Sequence, residues 1–322
     1  MLITLRQTAQ KIQAANKILL TAHVIPDGDA VGSTLAMLQI LRAMGKDAQI
    51  FIDDKIRDNL HVLPHFEEIH RPADGEKFDA DLLLVLDTSP DRIGNVRKMT
   101  DAPILNVDHH VTNSGEGFDL YVEAEAAATC EIVFKLAGEL GVKISRDVAV
   151  CLYTGLALDT GFFKFSNTRA ETFHTAAELV ACGVRPNEIS EQMEKKSLTE
   201  LRGMREALMS TKIYFGGKVA GIFLMRAEST DGFIDLIRVL DTADVAFMLN
   251  EKAENLCRVS MRSKGVDVAT VANSLGGGGH VRAAGCTLKT SLVEAEKIVV
   301  AALAKALNEN PSDAGVALAD FS

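Results

Sequence analysis

Carboxylates and imidazoles recur in this chain wherever a short apolar run ends. His23, Asp27 and Asp29 fall in His23-Val-Ile-Pro-Asp27-Gly-Asp29, Asp87 follows Leu82–Leu86, Asp108-His109-His110 follows Ile104–Val107, and Asp159 lies in Gly155-Leu-Ala-Leu-Asp159-Thr-Gly161. Singly, each has an ordinary explanation: Asp27, Asp29 or Asp87 as a cap, His109 as a hydrogen-bonded, partly buried ring. Caps do not require a carboxylate or an imidazole at four successive ends, so the set reads as one site. Converging carboxylates repel one another unless cations lie between them. Histidine and carboxylate without thiolate suit manganese, magnesium, iron or cobalt better than structural zinc. More ligands than one ion needs imply two, about 3.5–4 Å apart and bridged by a shared carboxylate, an arrangement that makes hydroxide from water and clamps phosphoryl oxygens.

Elements of a particular kind are needed to bring those ends together. Lys17–Val24, Ala48–Ile52, Asp81–Asp87 and Pro103–Val107 are brief, rich in Ile, Leu and Val, and bounded by turn residues, so they predict strands. Gly28–Met44 has helical apolar spacing and ends at Gly45. Strand, helix, strand at this length is a βαβ unit, and its repetition predicts an α/β fold with a mostly parallel sheet flanked by helices. Ligands in such sheets gather outside the carboxyl ends of the strands. Helices are predicted over Ala126–Leu140, Arg146–Leu158 and Ala170–Ala181. Asn187–Ser210 is one continuous polar, Glu/Lys-rich helical pattern, expected to be a connector. Beyond it, Lys212–Phe215 and Lys218–Leu224 around Gly216-Gly217 predict a hairpin. A strand over Glu254–Met261, helices over Val268–Leu275 and Leu292–Leu307, and a loose tail from Pro311 complete the reading. The domains expected are residues 1–186, a helical linker 187–210, a smaller mixed α/β domain 211–310 and a tail 311–322.

The chain has 322 residues, 47% hydrophobic and 24% charged, enough to bury a sizeable core. Its net charge of −10 argues against a coat for long duplex nucleic acid but leaves short or small anions open. Cys130, Cys151, Cys182, Cys257 and Cys286 are odd in number and include no C-x-x-C pair, which fits a reducing cytoplasm. No apolar run approaches the roughly 18 residues of a membrane helix, and no secretory signal is evident. A Rossmann dehydrogenase is excluded because no G-x-G-x-x-G follows the first strand. His61, His65, His70 and His174 lie apart from other ligand types and read as surface or packing residues. Phe162 and Phe163 read as packing beneath the site, with base stacking as the alternative. The run Gly276–Gly279 before His280 is either a hinge or a place where backbone amides approach an anion closely. Its position after a helix favours the second.

As a set these motifs resemble the DHH phosphoesterase superfamily, named for the triplet present as Asp108-His109-His110, and within it the DHH/DHHA1 group. The resemblance spans nearly the whole chain, through Leu86-Asp87-Thr88 and Thr154-Gly-Leu-x-x-Asp159-Thr-Gly161 to Ser260-Met-Arg262-Ser263, Gly276-Gly-Gly-Gly-His280 and Ala283-Ala-Gly285. It implies an N-terminal DHH catalytic domain and a smaller C-terminal DHHA1 domain that closes over the substrate. It also implies that His23, Asp27 and Asp87 bind one manganese, that Asp29, Asp87, His109 and Asp159 bind the other, and that Asp87 bridges. Asp108 would orient the imidazole of His109, and His110 would face the substrate phosphate. Arg262, Ser263, Gly278, Gly279 and His280 would contact phosphate or nucleotide, with Arg282 and Lys264 as weaker candidates. The implied reaction is attack by metal-bridged hydroxide on short oligoribonucleotides, giving mononucleotides, and on 3′-phosphoadenosine 5′-phosphate (pAp), giving AMP and phosphate. Expected partners are those substrates, with no long duplex, no membrane, and a homodimer left open. The alternatives are cleavage of c-di-AMP or pApA, then an inorganic pyrophosphatase or a non-catalytic nucleotide sensor.

Overall fold

The structure, a computed structural model, describes residues 1–227, 230 and 232–318, so the last part of the expected tail, 319–322, lies outside the described residues. The chain divides into two compact units, Met1–Lys195 and Lys196–Ser322.

In the first unit, α1 (Leu5–Ala14) opens with a capping box between Thr4 and Gln7. There follow β1 (Lys17–Thr21), α2 (Gly28–Ala43), β2 (Asp47–Phe51), β3 (Ile69–His70), β4 (Leu82–Leu86), β5 (Ile104–Asp108) and β6 (Asp119–Val122). Four helices complete it: α3 (Thr129–Glu139), α4 (Arg146–Asp159), α5 (Ala170–Ala181) and α6 (Pro186–Glu194). The six strands pair in parallel in the order β3-β2-β1-β4-β5-β6. The order reverses between β1 and β4, which are neighbours, so a crevice opens where their carboxyl ends diverge.

Strand β4 is the run Leu-Leu-Leu-Val-Leu, buried throughout, as a central parallel strand must be. Its alternate residues serve two cores. Leu82, Leu84 and Leu86 pack with residues of α1 to α6, whereas Leu83 and Val85 join Leu19, Phe51, Ile93, Val96 and Met99 on the opposite face. That second face is covered by short 3₁₀ turns over Pro90–Arg92 and Gly94–Lys98. Helices α2 and α4 touch through glycine: a Cβ on Gly32 would lie 2.5 Å from the Cys151 carbonyl oxygen, and one on Gly155 would lie 2.3 Å from Cys130 Sγ and 3.0 Å from Asp29 Cα.

The second unit contains α7 (Leu198–Met209), β7 (Lys212–Tyr214), β8 (Val219–Met225), α8 (Phe233–Arg238), β9 (Val245–Ala253) and β10 (Leu256–Ser263). It continues with α9 (Val268–Ser274), β11 (Gly278–His280), β12 (Ala283–Leu288), α10 (Leu292–Leu307) and β13 (Ala317–Leu318). The sheet runs β11-β12-β10-β9-β8-β7-β13 and is mixed: β8 and β9 are parallel and the other pairs antiparallel.

Four expectations need correction. The polar pattern Asn187–Ser210 is two helices, because the chain leaves helical geometry at Lys195 and Ser197 restarts it by capping α7 with Glu200. The strand predicted at Glu254 begins at Leu256, because Asn255, at φ +56°, turns the chain between β9 and β10. The tail is not loose as far as Leu318, since β13 pairs with β7. The glycine run, read as a hinge or an approach for an anion, is in part a strand, since Gly278 and Gly279 belong to β11. Among the described residues no helix is long and apolar enough to cross a membrane.

The glycine contact between α2 and α4 is testable. Gly155→Ala forces a methyl against Cys130 and Asp29, and overpacking of this kind costs about 1–3 kcal/mol. A lower denaturant midpoint, together with weaker divalent-cation binding because Asp29 is displaced, is the expected result.

Candidate metal centre

Two helix starts, three strand ends and the end of α4 build the site. Asp27 caps α2 through Oδ1, which accepts the N–H groups of Asp29 (3.0 Å) and Ala30 (3.1 Å). Asp29, 1% exposed, reaches across to the start of α3 and accepts the N–H groups of Thr129 (2.6 Å) and Cys130 (2.9 Å). Both carboxylates thus take amides that a helix cannot satisfy itself, at the end where negative charge is favoured. Asp87, 2% exposed, sits just past β4 at φ +62°, a conformation uncommon for a residue with a side chain. Its backbone N–H donates to the Val107 carbonyl (3.0 Å), and its Oδ1 accepts the Thr129 hydroxyl (3.1 Å).

The imidazoles close the arrangement. His23 Nε2 lies 3.6 Å from Asp87 Oδ2 and 3.9 Å from Asp27 Oδ1. His109 Nε2 lies 3.6 Å from Asp87 Oδ1, 3.6 Å from Asp159 Oδ2 and 4.0 Å from Asp29 Oδ2. The two oxygens of Asp87 therefore face different histidines. His23-Asp27-Asp87 and Asp29-His109-Asp159 each bring one donor atom per residue within 4.8 Å of one another, and Asp87-His109-His110 forms a third such group.

These residues fit divalent cations. His23 Nδ1 is 2.8 Å from the Val24 carbonyl and His109 Nδ1 is 3.2 Å from that of Ala126. A carbonyl only accepts, so each Nδ1 carries a proton and Nε2 is the ring nitrogen turned toward the carboxylate oxygens. Nitrogen and oxygen atoms 3.6–4.0 Å apart are beyond hydrogen-bonding distance, yet near enough to share an ion. Burial, then the charges of Asp29, Asp27, Asp159 and Asp108, push the Asp87 carboxyl well above its ordinary range. Burial, then Asp29 and Asp27, do the same to Asp159.

Asp108 behaves oppositely. Its Oδ1 accepts the backbone N–H groups of His109 (2.8 Å) and His110 (3.1 Å) and the His110 Nδ1–H (2.7 Å), while Oδ2 accepts from Asn113 Nδ2 (2.7 Å). Burial alone would raise its carboxyl, but the hydrogen bond and charge of His110, with Asn113, outweigh that and hold it below the usual carboxylate range. The expectation that Asp108 orients the His109 ring is thus corrected: the ring that it holds is that of His110. Asp159 closes helix α4, in line with the helix expected over Arg146–Leu158.

Other expected residues fall as follows. Phe163 packs against Tyr153 and Phe173, and Phe162 lies against the core. His61 stacks on Phe66, His65 pairs with Glu68, His70 packs near Phe51, and His174 is exposed. In the second unit, Arg262 is half-buried on β10, where burial lowers its pKa, and the Ser263 hydroxyl donates to Val266. Gly278, Gly279 and His280 form an exposed edge strand. A Cβ on Gly277 would lie 2.2 Å from the Gly285 carbonyl oxygen, and one on Gly279 would lie 2.6 Å from that of Ala283. Close strand pairing therefore demands glycine at both. The Lys264 ammonium donates to the Leu240 carbonyl. Three residues that hold the site escaped the sequence reading: Thr129, Asn106 and Asn113. The available signal was Asn106, a polar residue inside the apolar run Ile104–Val107.

A parallel sheet with clustered carboxylates and imidazoles beyond its reversal point defines a class of phosphoester hydrolases, and sequence comparison agrees. The model of the DHH family N-terminal domain matches residues 17–156 and that of the DHHA1 domain matches residues 218–309. The chain belongs to the DHH phosphoesterase family. It is 35% identical over 291 residues to the bifunctional oligoribonuclease and PAP phosphatase NrnA of Thermus thermophilus, covering 88% of each chain. It is 27% identical to the NrnA of Bacillus subtilis over 302 residues, covering 89% of this chain and 94% of that one. Among solved structures, an exopolyphosphatase-related protein from Bacteroides fragilis superposes with a TM-score of 0.86 at 25% identity, covering 94% of this chain and 95% of that one.

The raised carboxyls set a pH dependence. A carboxyl whose folded pKa lies above its unfolded value favours the fold while protonated and loses that contribution as pH rises through the folded pKa. Metal-free protein should therefore lose melting temperature as pH rises above the ordinary carboxylate range, while the gain on adding Mn²⁺ should grow in the same direction as fewer protons must be displaced. Thermal scans with and without the ion check this, and a gain that does not vary with pH would contradict the site.

Proposed function

We propose that this chain is a manganese-dependent phosphoesterase that hydrolyses short oligoribonucleotides to mononucleotides and pAp to AMP and phosphate. The observation that carries the reading is Asp87, whose two oxygens serve two imidazoles and hence two ligand groups. The extended similarity to proteins named for both activities supports the choice of substrates.

In this reading His23, Asp27 and Asp87 hold one cation, and Asp29, Asp87, His109 and Asp159 hold the second. Bound there, divalent ions supply Lewis-acid activation of water and neutralise phosphate charge. The protein does the rest. Amides at two helix starts fix the carboxylates, backbone carbonyls fix the histidine tautomers, and Asp108 holds the His110 Nδ1–H so that Nε2 meets the phosphate or carries a proton to the leaving oxygen. Arg262, with a planar fork suited to phosphate, acts with Ser263, Gly278, Gly279 and His280 in holding the nucleotide. With a net charge of −10, attraction for phosphate is local, which favours short substrates over long polymers. Five free cysteines suit work in the cytoplasm.

Purified protein with Mn²⁺ should turn over pAp and a diribonucleotide well ahead of a long single strand, c-di-AMP and pyrophosphate. Faster release from pyrophosphate or from the long strand refutes the assignment. Asp87→Asn should abolish turnover by removing the shared ligand. Arg262→Ala should mainly raise KM, as expected for a group that binds ground state and transition state alike.

A further inference from the structure

Two asparagines, Asn106 buried and Asn113 half-buried, connect the Asp108–His110 pair to the turn that carries Asp87. Asn106, buried in the middle of β5, donates through Nδ2 to the carbonyls of Val85 (3.0 Å) and Thr88 (2.7 Å), which bracket Asp87. Its Oδ1 is thereby the acceptor for Asn113 Nδ2 (2.7 Å), whose second proton goes to Asp108 Oδ2 (2.7 Å). Both groups facing Asn113 are pure acceptors, so the amide nitrogen must point inward. The relay bridges two parts of the site that chain connectivity alone leaves independent. At one end is a left-handed turn at a non-glycine residue, which persists only where its surroundings hold it. At the other end is a carboxylate that fixes an imidazole.

We propose that Asn113 and Asn106 are positioning residues of this reaction, holding the shared carboxylate of Asp87 and the ring of His110 in one fixed relation. Neither touches the reacting atoms. The inference rests on the phosphoesterase reading and extends it to residues outside every recognised motif. Asn113→Ala removes both donors, and Asn113→Asp sets a second carboxylate against Asp108.

The test measures kcat and KM on pAp with Mn²⁺, Mn²⁺ affinity by calorimetry, and the His110 tautomer by ¹⁵N NMR of histidine-labelled, metal-free protein. Partners behind a ligand or catalytic ring are worth about 10–100-fold in activity or affinity. Asn113→Ala should therefore lose kcat by about 10–100-fold with KM and Mn²⁺ affinity changed less than about 3-fold, and Asn113→Asp should lose more. The Nδ1-protonated His110 signal of the wild type should weaken in both. Asn106→Ser, which loosens the Asp87 turn, should in addition weaken Mn²⁺ binding about 10-fold. Retention of kcat and of the tautomer signal in folded Asn113 variants overturns the proposal, as does a fall in activity that only tracks melting temperature. A wild type inactive on every phosphoester would refute the functional reading alone, and the NMR and calorimetry would still decide the positioning role.

Discussion

Carboxylates crowded together out of water cannot all be charged unless something positive sits among them. Asp29 and Asp87 are shut away from solvent, Asp27 and Asp159 press on them, and two imidazoles turn Nε2 inward. Most of the first unit serves to hold this unfavourable grouping in place. The parallel sheet brings the ends of β1, β4 and β5 side by side, α2 and α4 close through glycines that admit no side chain, and helix amides pin the acids. Folding thus creates a deficit of positive charge whose shape is set before any ion arrives, which is preorganisation in its electrostatic form.

Three neighbouring histidines are sorted by what their Nδ1 meets. His23 and His109 donate that N–H to backbone carbonyls, which leaves Nε2 as the nitrogen facing the acids. His110 gives it to a carboxylate that is itself held ionised by several donors. The same side chain is thereby assigned two jobs by a neutral or a charged partner, a distinction made entirely by atoms behind the ring.

Much of this was legible in the sequence, because strands are short and apolar and the residue that ends a strand is conspicuous when it is charged. His23, Asp27, Asp29, Asp87 and the Asp108 triplet announce themselves in that way. Asp159 was legible as the residue that follows the helix expected over Arg146–Leu158. The resemblance implied His109 as the ring held by Asp108, whereas side-chain torsions bring the His110 ring to it. Asn113 and Thr129 stayed invisible: polar residues in turns and at helix starts are too common to mark a site. In the second unit, the glycines before His280 read as a hinge or an anion cradle, whereas Gly277 and Gly279 also answer to the crowding of β11 against β12.

The ligands are drawn from His23 near one end of the first unit to Asp159 near the other, and no contiguous stretch holds a complete set. Contacts of such long sequence separation form late, after the chain entropy between them has been lost. During synthesis the group Asp29-His109-Asp159 therefore cannot be completed until α4 has emerged and docked on α2. A ribosome-stalled or proteolysed fragment ending before Asp159 would lack the full set of donors.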